Sequence, residues 1–183
     1  MSLFPIEHYR HEGDAPSIAR HMVHCQDADY AGSGICARVF VNTRRGVAYK
    51  VGSVEANAGY LAYVNVLARQ RNHNPYTPKI YGVRYIRGYD GQEVFVVAME
   101  ALKDLNYYKY TDAVNILGKY LEYGADRVDV MAMIGFRFDP SPELLQAREI
   151  LHEAYRTGKA SWDLHDGNFM LRGDQIVITD PFV

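Results

Sequence analysis

Apolar runs rich in β-branched and aromatic residues alternate along this chain with longer stretches of helical spacing. "ICARVFV" (35–41) and "GVAYKV" (46–51) flank the polar "NTRRG", a pattern that predicts a β-hairpin. That hairpin is entered through Gly32-Ser33-Gly34, read as a loop. Upstream, residues 17–28 predict a short helix with Ser17 as N-cap after Pro16. Residues 54–70 place Ala58, Leu61, Ala62, Val64, Leu67 and Ala68 on helical spacing, with Ser53 as the cap. "NHNPYTPK" breaks that helix, and "IYGVRYI" and "EVFVVAME" follow as two strands joined through "RGYDGQ", whose Asp-Gly pair suits a hairpin turn. Helices are predicted over 112–123 and 142–157, the second starting at Ser141-Pro142 and stopping at Gly158. The end reads as a loop, a strand "FMLR", a turn "GDQ" and a strand "IVIT".

Strands come first with one helix embedded among them, helices follow, and a small hairpin closes the chain. That order predicts an α+β protein of two lobes with a cleft between them. At 183 residues one domain is expected, large enough for a real core. The net charge of −2 lacks the basic excess of a nucleic-acid or membrane-surface binder, so neither is expected as a partner. No apolar run approaches the ~18 residues of a membrane span, and "MSLFPIEHYRHEGD" has no signal-peptide pattern. Two cysteines, Cys25 and Cys36, make no disulfide framework, which fits a reducing cytoplasm. "HMVHC" (21–25) reads as ordinary packing and surface residues, and the 15 tyrosines as amphipathic packing with each hydroxyl at the surface.

The chemistry gathers near the end, in "KASWDLHDGNFMLRGDQIVITDP" (159–181). Asp163 and Asn168 are five residues apart on a loop after a helix, and Asp180 follows Asn168 by twelve, across the predicted turn. A tight hairpin brings its ends together, so Asn168 and Asp180 can face one point. A carboxylate and an amide oxygen are hard ligands that suit Mg²⁺ holding a nucleotide phosphate. Asp163 can accept a proton from an incoming hydroxyl. Upstream, the glycines of "GSGICARV" let backbone fold closely over phosphates. Lys50 sits mid-strand among apolar neighbours and needs a phosphate or a carboxylate as partner. Taken singly, each of these residues could cap a turn, end a strand or sit at an edge; their order and spacing carry the reading.

The ordered set resembles the protein-kinase-like superfamily: a Gly-rich loop, a strand lysine in a Val-Ala-x-Lys setting, a catalytic Asp with Asn five later, then a metal-binding Asp. "DLHDGN" is similar to the Asp-Leu-His-x-Gly-Asn loop of small-molecule and atypical kinases. Across roughly residues 30–183 the chain most resembles the early serine/threonine protein kinases of T7-like bacteriophages, through "GSGICARVF", "YKVG", "EALKDL" and "SWDLHDGNFM…ITDP". The resemblance implies a two-lobed protein-kinase-like fold with a truncated helical C-lobe, residues 1–101 forming an N-terminal extension and N-lobe and 102–183 a reduced C-lobe. It implies phosphorylation of host bacterial proteins, in the host cytoplasm, from ATP and Mg²⁺. By position, Asp163 would be the catalytic base, and Asn168 and Asp180 would hold the metal. Lys50 would bind the α- and β-phosphates under Gly32, Ser33 and Gly34. His165 would stand near the γ-phosphate. "VAMEAL" matches a hinge, so the backbone of Glu100 and Leu102 would meet adenine beside Met99. Glu55 is the acid in 54–70 that could pair with Lys50.

The departures are specific. Ser161-Trp162 replaces the His-Arg that precedes the catalytic Asp, Asp-Pro-Phe replaces Asp-Phe-Gly, with Phe182 as the nearest equivalent of its Phe, and Ala37 replaces the third glycine. The chain ends three residues after Asp180, so substrate docking is expected from the helices at 112–157, from the first 30 residues or from a second subunit in a homodimer. Two other functions fit parts of the pattern. One is a kinase-shaped module that sequesters a host protein without turnover. The other is a small-molecule kinase of aminoglycoside-phosphotransferase type.

Overall fold

The computed structural model of the chain describes residues 6–10, 14–34, 36–105, 107–124, 140–158 and 160–183. It is mixed α+β, with a six-stranded and a three-stranded sheet. In chain order the elements are β1 (Ile6–Arg10), α1 (Ala15–His24), β2 (Asp29–Ser33), β3 (Ala37–Asn42), β4 (Val47–Ser53) and α2 (Ala58–Leu67). Then come β5 (Ile80–Arg87), β6 (Glu93–Glu100), β7 (Lys103–Asp104), α3 (Tyr107–Tyr123), α4 (Pro142–Gly158), β8 (Phe169–Arg172) and β9 (Gln175–Ile178). The large sheet runs β1-β5-β6-β4-β3-β2 and the small one β7-β8-β9. Every pairing is antiparallel except β1 with β5, which is parallel.

Register decides which side chains share a face. Val39, Lys50 and Val97 stand opposite one another across β3, β4 and β6, as do Val41, Ala48 and Met99 one row on. Helix α2 covers this region, where Tyr60, Leu61 and Val64 pack on Val83, Phe95 and Val97. Helix α1 covers the other face, with Ala15, Ala19 and Val23 against Ile86, Val94 and Val96.

Helix α2 serves two cores at once. Tyr63, Val66 and Leu67 turn to a separate cluster with Leu117 and Leu121 of α3, Leu144 and Leu151 of α4, and Phe169, Ile178 and Phe182. A helix apolar on all sides belongs in the interior, and seven of its ten residues are buried. Its crossing with α4 is close. A Cβ on Gly158 would come 2.7 Å from that of Ala62, and one on Gly59 would come 2.6 Å from that of Ala160. Glycine at these two positions lets the helices touch backbone to side chain.

Several expectations shift in detail. The N-cap of α1 is Asp14, whose carboxylate accepts the Ser17 N–H at 3.0 Å, so the helix starts three residues earlier than a cap at Ser17 implied, and it ends at His24, short of 28. Gly32 and Ser33 belong to β2 instead of a loop, with a register shift between Tyr30 and Gly32. Residues 55–57 form a 3₁₀ turn before α2, which ends at Leu67. Helix α3 begins at Tyr107, ahead of the expected 112. Ser141 Oγ accepts the Leu144 N–H at 3.2 Å, as its reading as a helix start requires. Strand β1 is an edge strand that periodicity did not signal. Part of the docking surface expected from 112–157 and from the first 30 residues lies outside the described residues. Among the described residues, no helix is long and apolar enough to cross a membrane.

Candidate functional site

The hairpin of β8 and β9 does what its spacing required. Phe169 pairs with Ile178, and one step beyond, the Thr179 N–H and hydroxyl both donate to the Asn168 carbonyl at 2.9 Å. Asn168 and the residue before Asp180 are therefore bound backbone to backbone. The turn at the far end uses Gly173 at φ +64°.

A second pairing fixes Asp163. Ser161 and Val183 exchange two backbone bonds at 2.8 and 3.1 Å, and the Asp163 N–H donates to Pro181 O at 2.9 Å. Trp162 and Phe182 face each other across this bridge, with ring centroids 5.0 Å apart. Tyr155 stacks on Trp162 at 5.0 Å and 12°. Phe182 also meets Tyr63 edge-on at 6.3 Å, and the Tyr63 hydroxyl donates to Ile178 O at 3.0 Å. An aromatic cluster thus holds the segments carrying Asp163 and Asp180 against α2.

Within the loop, Asn168 Nδ2 donates to the Asp163 carbonyl at 2.7 Å and to Asp163 Oδ2 at 2.9 Å. The Asn168 amide nitrogen is committed, and its oxygen is the atom left to act as a ligand. His165 Nδ1 accepts the Gly167 N–H at 3.1 Å, which leaves the ring proton of the neutral imidazole on Nε2. Nε2 stands 3.6 Å from Asp163 Oδ1, beyond a direct hydrogen bond. Asp166 lies on the same exposed turn, 3.6 Å from His165 Nδ1.

Lys50 closes the site from the sheet. It is 6% exposed, and its Nζ meets Asp180 Oδ2 at 2.5 Å, a contact across 130 residues of sequence. Burial pulls the Lys50 ammonium below its ordinary pKa, and the negative charge of Asp180 opposes that pull. The second carboxylate oxygen, Asp180 Oδ1, is buried with no hydrogen-bond partner among the described residues. A buried, unpartnered carboxylate oxygen is costly and rare in a finished structure. It suits a hard cation, and with the free amide oxygen of Asn168 it gives the donor chemistry that Mg²⁺ takes. Among the described residues there is no group of three or more His, Cys, Asp or Glu that could hold a metal. Any cation here would therefore share its shell with an amide, water or phosphate oxygens.

The remaining sequence candidates divide. Gly32 stands opposite Val39, in the register row that holds Lys50. Ser33 stands opposite Arg38 and so faces the other side. A Cβ on Gly32 or Gly34 would meet nothing within 4 Å, so packing within the chain does not demand glycine at either place. Glu55 is exposed on the 3₁₀ turn and is not the partner of Lys50; Asp180 is. Glu55 instead lines, with Ser33, Gly34, Arg38 and Glu93, a groove of about 1060 Å³ on the α1 side of the sheet.

At the end of β6, Met99 is buried, and the Glu100 N–H donates to Lys79 O at 2.9 Å. Leu102 lies half-buried between β6 and β7. The Glu100 side chain has work that its backbone role did not suggest. Its carboxylate accepts the Lys79 N–H at 2.7 Å and two bonds from Arg172, one from Nε at 3.0 Å. Burial pushes the Glu100 carboxyl up, but the Arg172 and Lys79 bonds outweigh it and hold the group below its ordinary value. Arg172 and Tyr60, which lies under Lys50, are the residues that sequence reasoning missed. Arg172 ends the strand "FMLR" with no local sign of its distant partner, and Tyr60, like Tyr63, is buried whole where a tyrosine hydroxyl is expected at the surface.

The chain matches no protein-family model and no curated relative.

Proposed function

We propose that the chain is an ATP-dependent phosphotransferase acting on serine or threonine hydroxyls of proteins, with a two-lobed kinase-like architecture divided near residue 101. The observation that carries this reading is the buried Lys50–Asp180 pair, which joins the sheet to the loop bearing Asp163 and Asn168. Bacterial host proteins as substrates, and a bacteriophage origin, rest on the sequence resemblance.

Each residue then has a task. Lys50 supplies a fixed positive charge to the nucleotide phosphates. Gly32, in the register row of Lys50, and Gly34 beyond it have open space where a Cβ would stand, so backbone there is free to approach a phosphate chain. Met99 and the backbone after Glu100 border the base. Asn168 Oδ1 and Asp180 Oδ1 would hold Mg²⁺, which when bound neutralises phosphate charge. Asp163 is oriented by the Asn168 amide, accepts the hydrogen bond of the incoming hydroxyl and takes its proton late. A loose phosphoryl-transfer transition state asks little of the base, so positioning and charge neutralisation supply most of the rate. The His165 ring, with its proton on Nε2, stands 3.6 Å from Asp163 Oδ1, within reach of a group that Asp163 holds.

A second reading is favoured by one observation. Lys50 and Asp180 already satisfy one another in part, as a binding module without turnover would also allow. Transfer of label from γ-labelled ATP to protein in a bacterial lysate separates the two. Wild type should label bands that Asp163→Asn does not, with ATP binding retained in the variant. Full labelling by Asp163→Asn would remove Asp163 from the mechanism. ATP binding with no labelling by wild type would favour the module. Labelling of small acceptors, and not of protein, would point to the aminoglycoside type.

A further inference from the structure

The Lys50 ammonium rests on an aromatic ring. Its Nζ stands 3.6 Å from the centroid of Tyr60, which is 1% exposed. Among the described residues the Tyr60 hydroxyl reaches only Met99 Sδ, at 4.0 Å, a weak acceptor. The ring is therefore held by packing, against Phe95 at 5.8 Å and among Leu61 and Val64. It cannot readily leave. Tyr60 follows Gly59, whose Cα sits where Ala160 and Phe182 leave no room for a Cβ. Glu55, the acid at the start of this helical segment, is exposed and away from Lys50.

A ring face attracts a cation through its quadrupole without carrying a charge of its own, and the attraction grows when the pair is desolvated. A helix carboxylate at the same place would neutralise Lys50. The ring orients the ammonium and leaves its unit charge uncancelled from the helix side. Whatever else Asp180 is called on to hold, the ring stays beneath Lys50.

We propose that Tyr60 is the positioning residue for Lys50, its ring face fixing the ammonium where the sheet meets the Asp163–Asp180 loops and keeping that charge available to an anionic ligand. The nucleotide phosphate as that ligand rests on the phosphotransferase reading; the ring–ammonium pairing does not.

Three measurements test it. With ε-¹³C-labelled lysine, the Lys50 ε-methylene protons should show an upfield ring-current shift in wild type and in Tyr60→Phe, and lose it in Tyr60→Leu. An unshifted wild-type signal overturns the proposal. Because Tyr60→Leu also opens a cavity, the second measurement keeps the ring's volume. Tyr60→Phe is compared with ring-fluorinated phenylalanines at the same position, which weaken the quadrupole step by step. The urea midpoint should fall with each fluorine when Lys50 is present and not in a Lys50→Met background. Equal slopes in the two backgrounds overturn the proposal. Third, KM for Mg·ATP should rise about tenfold in Tyr60→Leu and recover in Tyr60→Phe. An unchanged KM in Tyr60→Leu overturns the phosphate role. A wild-type protein that binds no ATP, yet passes the first two tests, overturns the phosphotransferase reading and leaves the ring–ammonium pairing standing.

Discussion

Lys50 and Glu100 leave neighbouring strands of the same sheet, and each meets an opposite charge from the C-terminal hairpin. Glu100 meets Arg172 of β8, and Lys50 meets Asp180 just past β9. The first pair is complete. Both Glu100 oxygens are bonded, and the Arg172 guanidinium also donates to Pro75 O at 2.8 Å and Thr77 O at 2.9 Å. The second pair is not. Lys50 makes one bond and rests on a ring, and Asp180 keeps a buried oxygen without a partner among the described residues. The planar fork of arginine satisfies several acceptors at once, whereas lysine presents a point charge. A finished pair is what stability selects. An unfinished one, at the meeting point of sheet and loops, is where the proposed ligand would add the missing partners.

The comparison breaks first, and most visibly, at Arg172. Arg172→Met strands the Glu100 carboxylate in the interior with only the Lys79 N–H, so a loss of about 3–5 kcal/mol is expected in urea unfolding. A loss under ~1 kcal/mol would erase the distinction between the pairs.

The same pair predicts an acid dependence. The Glu100 carboxyl is held below its ordinary value when folded, so its stabilisation is present above the unfolded pKa and is lost as pH falls through the lower, folded one. Wild-type stability should therefore drop below roughly pH 4, and Glu100→Gln should flatten that part of the profile while lowering stability at neutral pH. An unaltered profile in Glu100→Gln would place the acid sensitivity elsewhere.

The effect on folding shrinks at Lys50. Lys50→Met removes a buried charge together with its pair, and Asp180 keeps about a third of its side chain in solvent, so the cost should be smaller than at Arg172, roughly 1–2 kcal/mol. The same substitution should abolish phosphotransfer. Lost activity together with a collapse of the fold would make Lys50 a structural residue like Arg172.

Elements whose signal is local are legible in the sequence. Strands β3 to β6, the β8–β9 hairpin and helices α2 and α4 follow from β-branched runs, turn residues and helical spacing. The closure of Asn168 toward Asp180 came from hairpin geometry alone. What escaped depends on contacts between distant residues. Strand β1, "IEHYR", is short and half polar, and only its parallel pairing with β5 makes it a strand. Arg172 reaches Glu100 across 72 residues, which no local pattern encodes. Glu55 drew the pairing with Lys50 because it was the one acid at hand, whereas the helix offers Lys50 a ring.

The most direct test of the central claim is Mg²⁺-dependent ATP binding by titration calorimetry, comparing wild type with Asp180→Asn. Wild type should bind ATP more tightly with Mg²⁺ than without, and Asp180→Asn should lose most of that difference. Equal Mg·ATP affinity in the two proteins, or no binding by wild type, would contradict the assignment of this site.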